Sequence, residues 1–256
     1  MRIISRLDVK GKNLIKSINL EGLRVVGDPN VFAKKYYNEG VDEILFVDSV
    51  ASLYNRNNLT EIVKLACKDI FVPFTVGGGI RNLKDAEKLF ISGADKIAIN
   101  TAAIQNPKLI TELAKTFGSQ AVVISIEAKK NNENEWIAYT NNGRENTNKN
   151  VIEWAKIATD CGAGEILLTS VDYEGTCKGF DYAIIKKISK KINIPIIASG
   201  GFGKPEHMVE VVKNSGADAV AIAHCFHYNK YSLRQVRDYA LSNNIKVRKF
   251  NQWKKL

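Results

Sequence analysis

Three features of this 256-residue sequence predict an α/β fold, a closed (β/α)8 TIM barrel with a two-fold internal repeat. The length suits one barrel domain. Short β-branched runs alternate with amphipathic stretches of helical period. Segments of the first half of the chain also recur in the second half at a nearly constant offset. An open sheet would not explain such a repeat. We expect one domain over residues 1–256, with half-barrels at about 1–120 and 121–245 and a tail at 246–256.

The eight predicted strands are continuous apolar runs rather than alternating ones. This pattern is typical of strands that are buried on both faces of a parallel sheet. In chain order they are Ile3–Leu7, Glu43–Val47, Phe71–Val76, Lys96–Asn100, Ala121–Ile126, Glu165–Thr169, Pro195–Ser199 and Ala219–Ala223. Eight such strands with intervening helices indicate a closed barrel.

Amphipathic stretches between the strands predict helices. Two of them begin with a capping side chain before a proline, Asp28 before Pro29 and Asn106 before Pro107. The predicted helices include Pro29–Asn38, Leu83–Ile91, Pro107–Thr116, Val151–Asp160 and Pro205–Asn214.

Three pairs of segments carry the repeat, and they indicate four strand–helix units in each half. Two pairs are 122 residues apart and one is 123 apart, as expected for a single inserted residue. The pairs are Pro73–Gly79 with Pro195–Gly201, Gly40–Leu45 with Gly162–Leu167, and Gly93–Asp95 with Gly216–Asp218.

The composition of the chain indicates its cellular compartment and the kind of ligand that it binds. The four cysteines form no Cys-x-x-Cys pair, which favours reduced thiols and a cytoplasmic protein. A charged N-terminal segment and the lack of an apolar run of about 18 residues predict no signal peptide and no membrane span. The net charge is +10, but the lysines follow helical spacing or lie in the tail. We therefore expect solvated helix faces and an anionic substrate rather than nucleic acid.

Glycines at two equivalent strand ends predict paired phosphate sites. Active sites of these barrels lie at the C-terminal ends of the strands, where glycine lets backbone N–H groups approach an anion. Two sites on opposite sides favour a long substrate with a phosphate at each end. The predicted lining comprises Gly78, Gly79, Asn100 and Thr101 in the first half, and Gly200, Gly201, Ala223 and His224 in the second.

Asp8 and Glu127 are the candidate catalytic acid and base. They end strands one and five and occupy equivalent places in the repeat, so their carboxylates are expected to face each other across the barrel mouth. Further candidates at or just past strand ends are Lys16, Asp48, Thr169, Asp172, Glu174 and Gly175.

Charged residues also mark the opposite end of the barrel. Arg2, Glu43, Lys96 and Glu165 each begin a strand, and physics alone favours a salt-bridged plug that closes the barrel floor. We expect neither metal nor cofactor, because the adjacent residues His224–His227 cannot all converge on one ion. No nucleophile elbow is present.

Six segments together resemble the HisF family, the cyclase subunit of imidazole glycerol phosphate synthase, over nearly the whole chain. The segments are Pro73–Ile80, Gly93–Lys96, Ile99–Ala103, Thr116–Val122, Gly162–Ser170 and Pro195–Gly201. The resemblance implies a HisH-like glutaminase partner at the N-terminal face, whose ammonia crosses the barrel to a phosphorylated small molecule. It also implies that the floor quartet is an ammonia gate, that Thr75 lines the passage above it, and that Asp8 and Lys16 act at the substrate.

Departures from the family cluster at the mouth of the barrel. The second catalytic position is Glu127 instead of aspartate, and one extra methylene is enough to misplace the reacting oxygen. Glu174 and His224 differ too, and Arg6 replaces a small residue. The motifs Arg6–Gly11, Leu20–Val25 and Ser125–Ala128 are similar to HisF-like paralogs associated with amidation of surface-polysaccharide sugars.

Three hypotheses follow, and the first is preferred. The chain is an ammonia-accepting subunit for sugar amidination, working with a glutaminase and a separate amidotransferase. Alternatively it is the histidine-pathway cyclase, or a non-catalytic activator that conducts ammonia to another enzyme. A related isomerase on the same duplicated barrel would leave the charged floor unexplained.

Overall fold

The computed structural model describes residues 1–51 and 59–250. The first half contains β1 (Arg2–Lys10), β2 (Asn13–Ile18), β3 (Glu21–Gly27), α1 (Pro29–Asn38), β4 (Glu43–Asp48), α2 (Leu59–Ala66), β5 (Phe74–Gly77), α3 (Leu83–Ile91), β6 (Lys96–Ile99), α4 (Thr101–Gln105) and α5 (Lys108–Phe117). After a 3-10 turn at Ser119–Ala121, the second half contains β7 (Val122–Lys130), β8 (Trp136–Thr140), β9 (Glu145–Asn150), α6 (Val151–Asp160), β10 (Glu165–Ser170), α7 (Tyr182–Ser189), β11 (Ile196–Ser199), α8 (Pro205–Ser215), β12 (Ala219–Ile222), α9 (His224–His227) and α10 (Leu233–Ser242).

Eight parallel strands form a closed barrel in the order β1, β4, β5, β6, β7, β10, β11 and β12. Pairing of β7 with β10 joins the two halves on one side, and pairing of β12 with β1 joins them on the other. The predicted (β/α)8 barrel is confirmed. The described elements follow the same order in both halves, while the origin of that order by duplication stays a prediction.

The barrel has two apolar cores, because alternate side chains of each strand face the axis or the helices. The interior core consists of Ile4, Leu45, Ala98, Val123, Leu167, Ile197, Ala219 and Ala221. The larger core lies between the strands and the surrounding helices. Ala98 of this interior core also lines a cavity at the C-terminal end of the barrel, where the candidate site lies.

The starts of the predicted elements agree with the structure to within one residue, except at the third barrel strand. The third barrel strand begins at Phe74 rather than Phe71, and Phe71 is 77% exposed in the preceding loop. Asp28 caps α1 as predicted, accepting hydrogen bonds from the backbone of Asn30 and Val31. Asn106 is not the N-cap of α5, because that position is Pro107 and no side chain caps this end of the helix.

Two β-hairpins extend the rim of the barrel and were not predicted. The β2–β3 hairpin pairs antiparallel with the end of β1, and the β8–β9 hairpin pairs in the same way with β7. Both parent strands are nine residues long, so they run past the barrel into these hairpins. Asp8 and Glu127 lie where each strand changes from barrel to hairpin.

No helix within residues 1–51 and 59–250 is long and apolar enough to cross a membrane.

Candidate active site

The four charged residues that begin strands meet inside the barrel at its N-terminal end. Arg2 Nη1 lies 2.7 Å from Glu43 Oε2, and Arg2 also pairs with Glu165. Lys96 Nζ lies 3.0 Å from Glu43 and 3.1 Å from Glu165. Each carboxylate therefore contacts both cations. Because the glutamates are buried while Arg2 and Lys96 are partly exposed, the quartet forms a floor that is accessible from outside.

Thr75 connects this floor to the barrel interior. Its hydroxyl is buried and donates a hydrogen bond to Glu43 Oε1. On the next strand Ala98 belongs to the interior core, directly above the level of Lys96. Small side chains thus line the β5–β6 side of the passage above the floor.

Arg6 had no predicted role at the mouth of the barrel, and the sequence indicated only that it replaces a small residue of the family. Its side chain is buried, and its Nε lies 2.9 Å from Asp8 Oδ1. Its Nη1 donates to Thr169 at 2.8 Å and to Ser199 at 3.0 Å, across the interior on β10 and β11. The signal in the sequence was the i, i+2 spacing, which puts Arg6 and Asp8 on one face of β1.

Asp8 is held as a carboxylate. Burial alone would raise its pKa, but the charges of Arg6 and then Lys16 outweigh burial and hold the pKa below its usual value. Lys16 Nζ lies 3.8 Å from Asp8 Oδ2. The carboxylate therefore has two cations beside it in a site shielded from water, and it resists protonation.

Lys16 lies on β2 and is buried, rather than extended into solvent from an open loop. It forms an ion pair with Glu174, which is equally buried in the loop after β10. The Asn19 side chain at the hairpin turn donates to the backbone carbonyls of Val171 and Asp172. These contacts dock the β2–β3 hairpin on the β10–α7 loop.

Glu127 faces a different environment from Asp8. Its Oε2 accepts a hydrogen bond of 2.8 Å from the backbone N–H of Gly143, in the turn of the β8–β9 hairpin. Burial raises the pKa of Glu127 to about 7, more than this hydrogen bond and Arg6 lower it. A carboxyl group with such a pKa can both donate and accept protons near neutral pH.

A cavity of about 240 Å³ opens beside Glu127. Its lining combines the first glycine segment with residues from the ends of β4, β6 and β7: Asp48, Gly77, Gly78, Gly79, Arg81, Asn100, Thr101, Ser125 and Glu127 among others. Gly78 and Gly79 have positive φ, at 107° and 70°, which favours glycine. A Cβ on Gly78 would lie 2.6 Å from the backbone oxygen of Asp48. The predicted first-half residues thus lie together around one open site.

The second glycine segment lies beside a recess of only about 10 Å³. Glu174, Gly175, Gly200, Gly201, Ala223, His224 and Arg6 line it. Two predicted residues have other partners, since Thr169 accepts from Arg6 and the Asp172 carboxylate accepts from the backbone of Lys130. The other predicted second-half residues lie together around this recess, and His224 also lines an adjacent open cavity of about 640 Å³ with Lys16, Arg24 and Lys230.

The two histidines of α9 differ in environment. Burial lowers the pKa of His224, and its ring packs on Tyr228 at a centroid distance of 4.7 Å. His227 was not singled out for a role of its own. It is buried against α1, where its Nδ1 lies 2.6 Å from the Tyr36 hydroxyl, and burial lowers its pKa to about 3. His227 is therefore neutral and structural. The described residues contain no cluster of His, Cys, Asp or Glu that could hold a metal ion.

A glycine-lined cavity and a carboxyl group with a raised pKa lie at the C-terminal rim, where (β/α)8-barrel enzymes have their active sites. A family model described as "Histidine biosynthesis protein" matches residues 2–232. The chain is 58% identical over 206 residues to an "Imidazole glycerol phosphate synthase subunit HisF" of Legionella pneumophila, covering 80% of this chain and 97% of that protein. It is 47% identical over 247 residues to the protein of that name from Pyrococcus furiosus, covering 96% of this chain and 98% of the relative. The chain belongs to the HisF family of imidazole glycerol phosphate synthase subunits.

Proposed function

We propose that this chain is the ammonia-accepting subunit of a glutamine amidotransferase complex whose acceptor is a surface-polysaccharide sugar. The observation that carries the proposal is the buried Arg6–Asp8 ion pair. Acid–base work at Asp8 in a cyclase requires a carboxyl group that exchanges protons with substrate. Here Arg6 and Lys16 hold that group ionised, and the altered residues Glu127, Glu174 and His224 line spaces at the same mouth.

Ammonia would enter through the floor quartet. Alternating charges that satisfy one another form a thin barrier, which a small neutral molecule can cross when one ion pair opens. Above it, Thr75, Ala98 and Ser125 provide small side chains toward the 240 Å³ cavity. Glu127 lies at the end of this path. In its ionised form it would accept a proton from ammonia as the nitrogen attacks the acceptor.

The partner is proposed to be a HisH-like glutaminase at the N-terminal face. Exposed apolar side chains lie at that end of the molecule, namely Phe71 before β5, Leu65 near the end of α2 and Ile91 at the end of α3. They are 77%, 54% and 78% exposed, and a protein partner would cover them. A separate amidotransferase would act at the opposite face. Four free thiols support a cytoplasmic location.

The Arg6–Asp8 pair also favours a second candidate, a non-catalytic activator that conducts ammonia to another enzyme. Substitution of Glu127 separates the two. In the preferred proposal Glu127→Gln lowers amidination by the complex on the order of 100-fold. A conduit would retain activity in Glu127→Gln and in Asp8→Asn, while Lys96→Met would disturb it. Glu112→Gln, on the exposed surface of α5, is the matched control.

Steady-state turnover of the histidine-pathway nucleotide with saturating free ammonium tests the choice of acceptor. We expect no turnover above the background of an Asp8→Asn variant. Rapid turnover that disappears in Asp8→Asn would contradict the proposal and establish the histidine-pathway cyclase instead.

A further inference from the structure

The loop between β10 and α7 packs directly on the backbone of the second glycine segment, residues 199–203. The backbone N–H of Gly179 in this loop donates a hydrogen bond of 2.8 Å to the carbonyl oxygen of Gly201. A Cβ built on Gly201 would lie only 1.8 Å from the Gly179 oxygen, and one built on Gly203 would lie 2.1 Å from the Cys177 oxygen. The contact is thus between two backbones, and it holds Cys177 beside Gly203.

A second cysteine contacts the same glycine segment from α9. The Sγ of Cys225 donates hydrogen bonds of 3.4 Å to the carbonyl oxygens of Phe202 and Gly203. The Cβ of Cys177 lies 2.8 Å from the position of a Cβ built on Gly203. Burial raises the pKa of Cys225, and the neighbouring Cys177 sulfur raises it further. Two thiols from different elements therefore meet at Gly203.

The two thiols differ in their access to solvent. Cys177 is half-buried, and the Lys230 ammonium donates to its Sγ at a distance of 3.7 Å. Cys225 is fully buried. A partly exposed thiol beside a lysine is a reactive environment for cysteine, whereas a buried thiol is inert toward reagents in solution. An oxidant can therefore reach Cys177, while Cys225 is within reach of Cys177.

We propose that Cys177 and Cys225 form a reversible disulfide that locks the β10–α7 loop on the second glycine segment. Cys177 attacks the oxidant, with Lys230 as the activating cation, and Cys225 resolves the product. The β2–β3 hairpin is docked on the same loop through Asn19, so the disulfide also acts on the rim of the mouth. In a reducing compartment such a bond is transient and senses the redox state. The inference is independent of the acceptor proposed above.

The oxidant is a small-molecule disulfide such as oxidised glutathione. The Cys177 sulfur attacks one of its sulfurs, the S–S bond breaks, and one glutathione leaves with the Cys177 proton. Cys225 then attacks the Cys177 sulfur of this mixed disulfide, and the second glutathione leaves with the Cys225 proton. Two protein thiols are oxidised and one glutathione disulfide is reduced. The mixed disulfide favours the second attack, because its Cys177 sulfur can no longer carry a negative charge beside Cys225.

Oxidation of the folded full chain with oxidised glutathione tests the inference. Alkylation before unfolding prevents exchange, and thiol counting and non-reducing peptide mapping follow. We expect the wild type to lose two of its four thiols, with the peptides of Cys177 and Cys225 joined until a reductant is added. Cys225→Ala should keep glutathione on Cys177, because it lacks the resolving thiol. Cys161→Ser, half-buried at the end of α6, is the matched control and should form the same link.

Two further measurements test the cation and the lock. Lys230→Met should slow disulfide formation on the order of tenfold, whereas Lys213→Met, on the exposed side of α8, should not. Amide hydrogen exchange in residues 171–179 should slow on the order of tenfold in the oxidised protein. An unchanged rate in Lys230→Met would overturn the role of Lys230, and unchanged exchange would overturn the locking.

A wild-type chain that keeps all four thiols, or that links Cys67 or Cys161 instead, would overturn the inference. Glutathione that stays on Cys177 while Cys225 is present would overturn it as well. These results need only the wild type, so they remain decisive if Cys225→Ala does not fold.

Discussion

Within the mouth, two carboxyl groups of equivalent sequence position have opposite properties. Asp8 is ionised because Arg6 and Lys16 lie beside it, and Glu127 has a raised pKa because burial dominates over a single N–H donor. Pairs of groups whose environments separate their pKa values are typical of acid–base sites. In the proposed function, Asp8 therefore keeps a fixed charge and Glu127 transfers the proton.

Removing Arg6 should strongly destabilise the fold. Arg6→Met leaves Asp8 buried with only Lys16 as a cation, at 3.8 Å. Breaking one side of a buried pair costs about 3–5 kcal/mol, whereas replacing both partners costs much less. We expect Arg6→Met to lower the free energy of unfolding by that amount, and Arg6→Met with Asp8→Asn to recover more than half. Urea unfolding measures both, and a loss below about 1 kcal/mol in the single variant would contradict the account.

Glu127 should make stability depend on pH. In the folded protein the Glu127 carboxyl group keeps its proton up to about pH 7. In the unfolded chain it loses this proton near pH 4.5, the ordinary pKa of a glutamate. The contribution of Glu127 is therefore fully present below pH 4.5 and is lost as pH rises through 7. Relative to Glu127→Gln, the wild type should lose up to about 3 kcal/mol over this range. Unfolding of both proteins at several pH values checks this, and parallel curves would show an ordinary pKa.

Among the elements, the two rim hairpins were the part of the fold that sequence reasoning missed. The strand β3 is largely exposed and all six residues of β9 are polar, so neither shows an apolar alternation. The turn of the first hairpin has Asn19 and Leu20 at positive φ, and leucine is rare in that conformation. By contrast, the barrel strands were predictable because burial on both faces makes them apolar throughout.

The ion pair of Lys16 should hold the first hairpin in place. Lys16→Met keeps the length of the side chain but leaves Glu174 without its cation. We expect amide hydrogen exchange in β2 and β3 to accelerate on the order of tenfold, while exchange in β8 and β9 stays unchanged. Lys12→Met, in the exposed turn between β1 and β2, is the control. Equal exchange in the two variants would mean that Asn19 alone docks the hairpin.

At the scale of the whole molecule, a charged floor and a polar mouth lie at opposite ends of one barrel. The floor was predictable because its four residues each begin a strand, and parallel strands of a barrel begin at one end. The hydrogen-bond network of Arg6 across the mouth was not predictable. It depends on contacts between Arg6 and residues 163 and 193 positions away, which no local pattern reports.

The most direct test of ammonia handling is the glutaminase rate of a HisH-like partner with and without this chain. We expect the wild-type chain to raise the rate on the order of tenfold. Lys96→Met and Glu165→Gln should bind the partner but change the stimulated rate, whereas Glu112→Gln should not. A partner that binds but is not stimulated, or floor variants that behave like the wild type, would contradict an ammonia-passing floor.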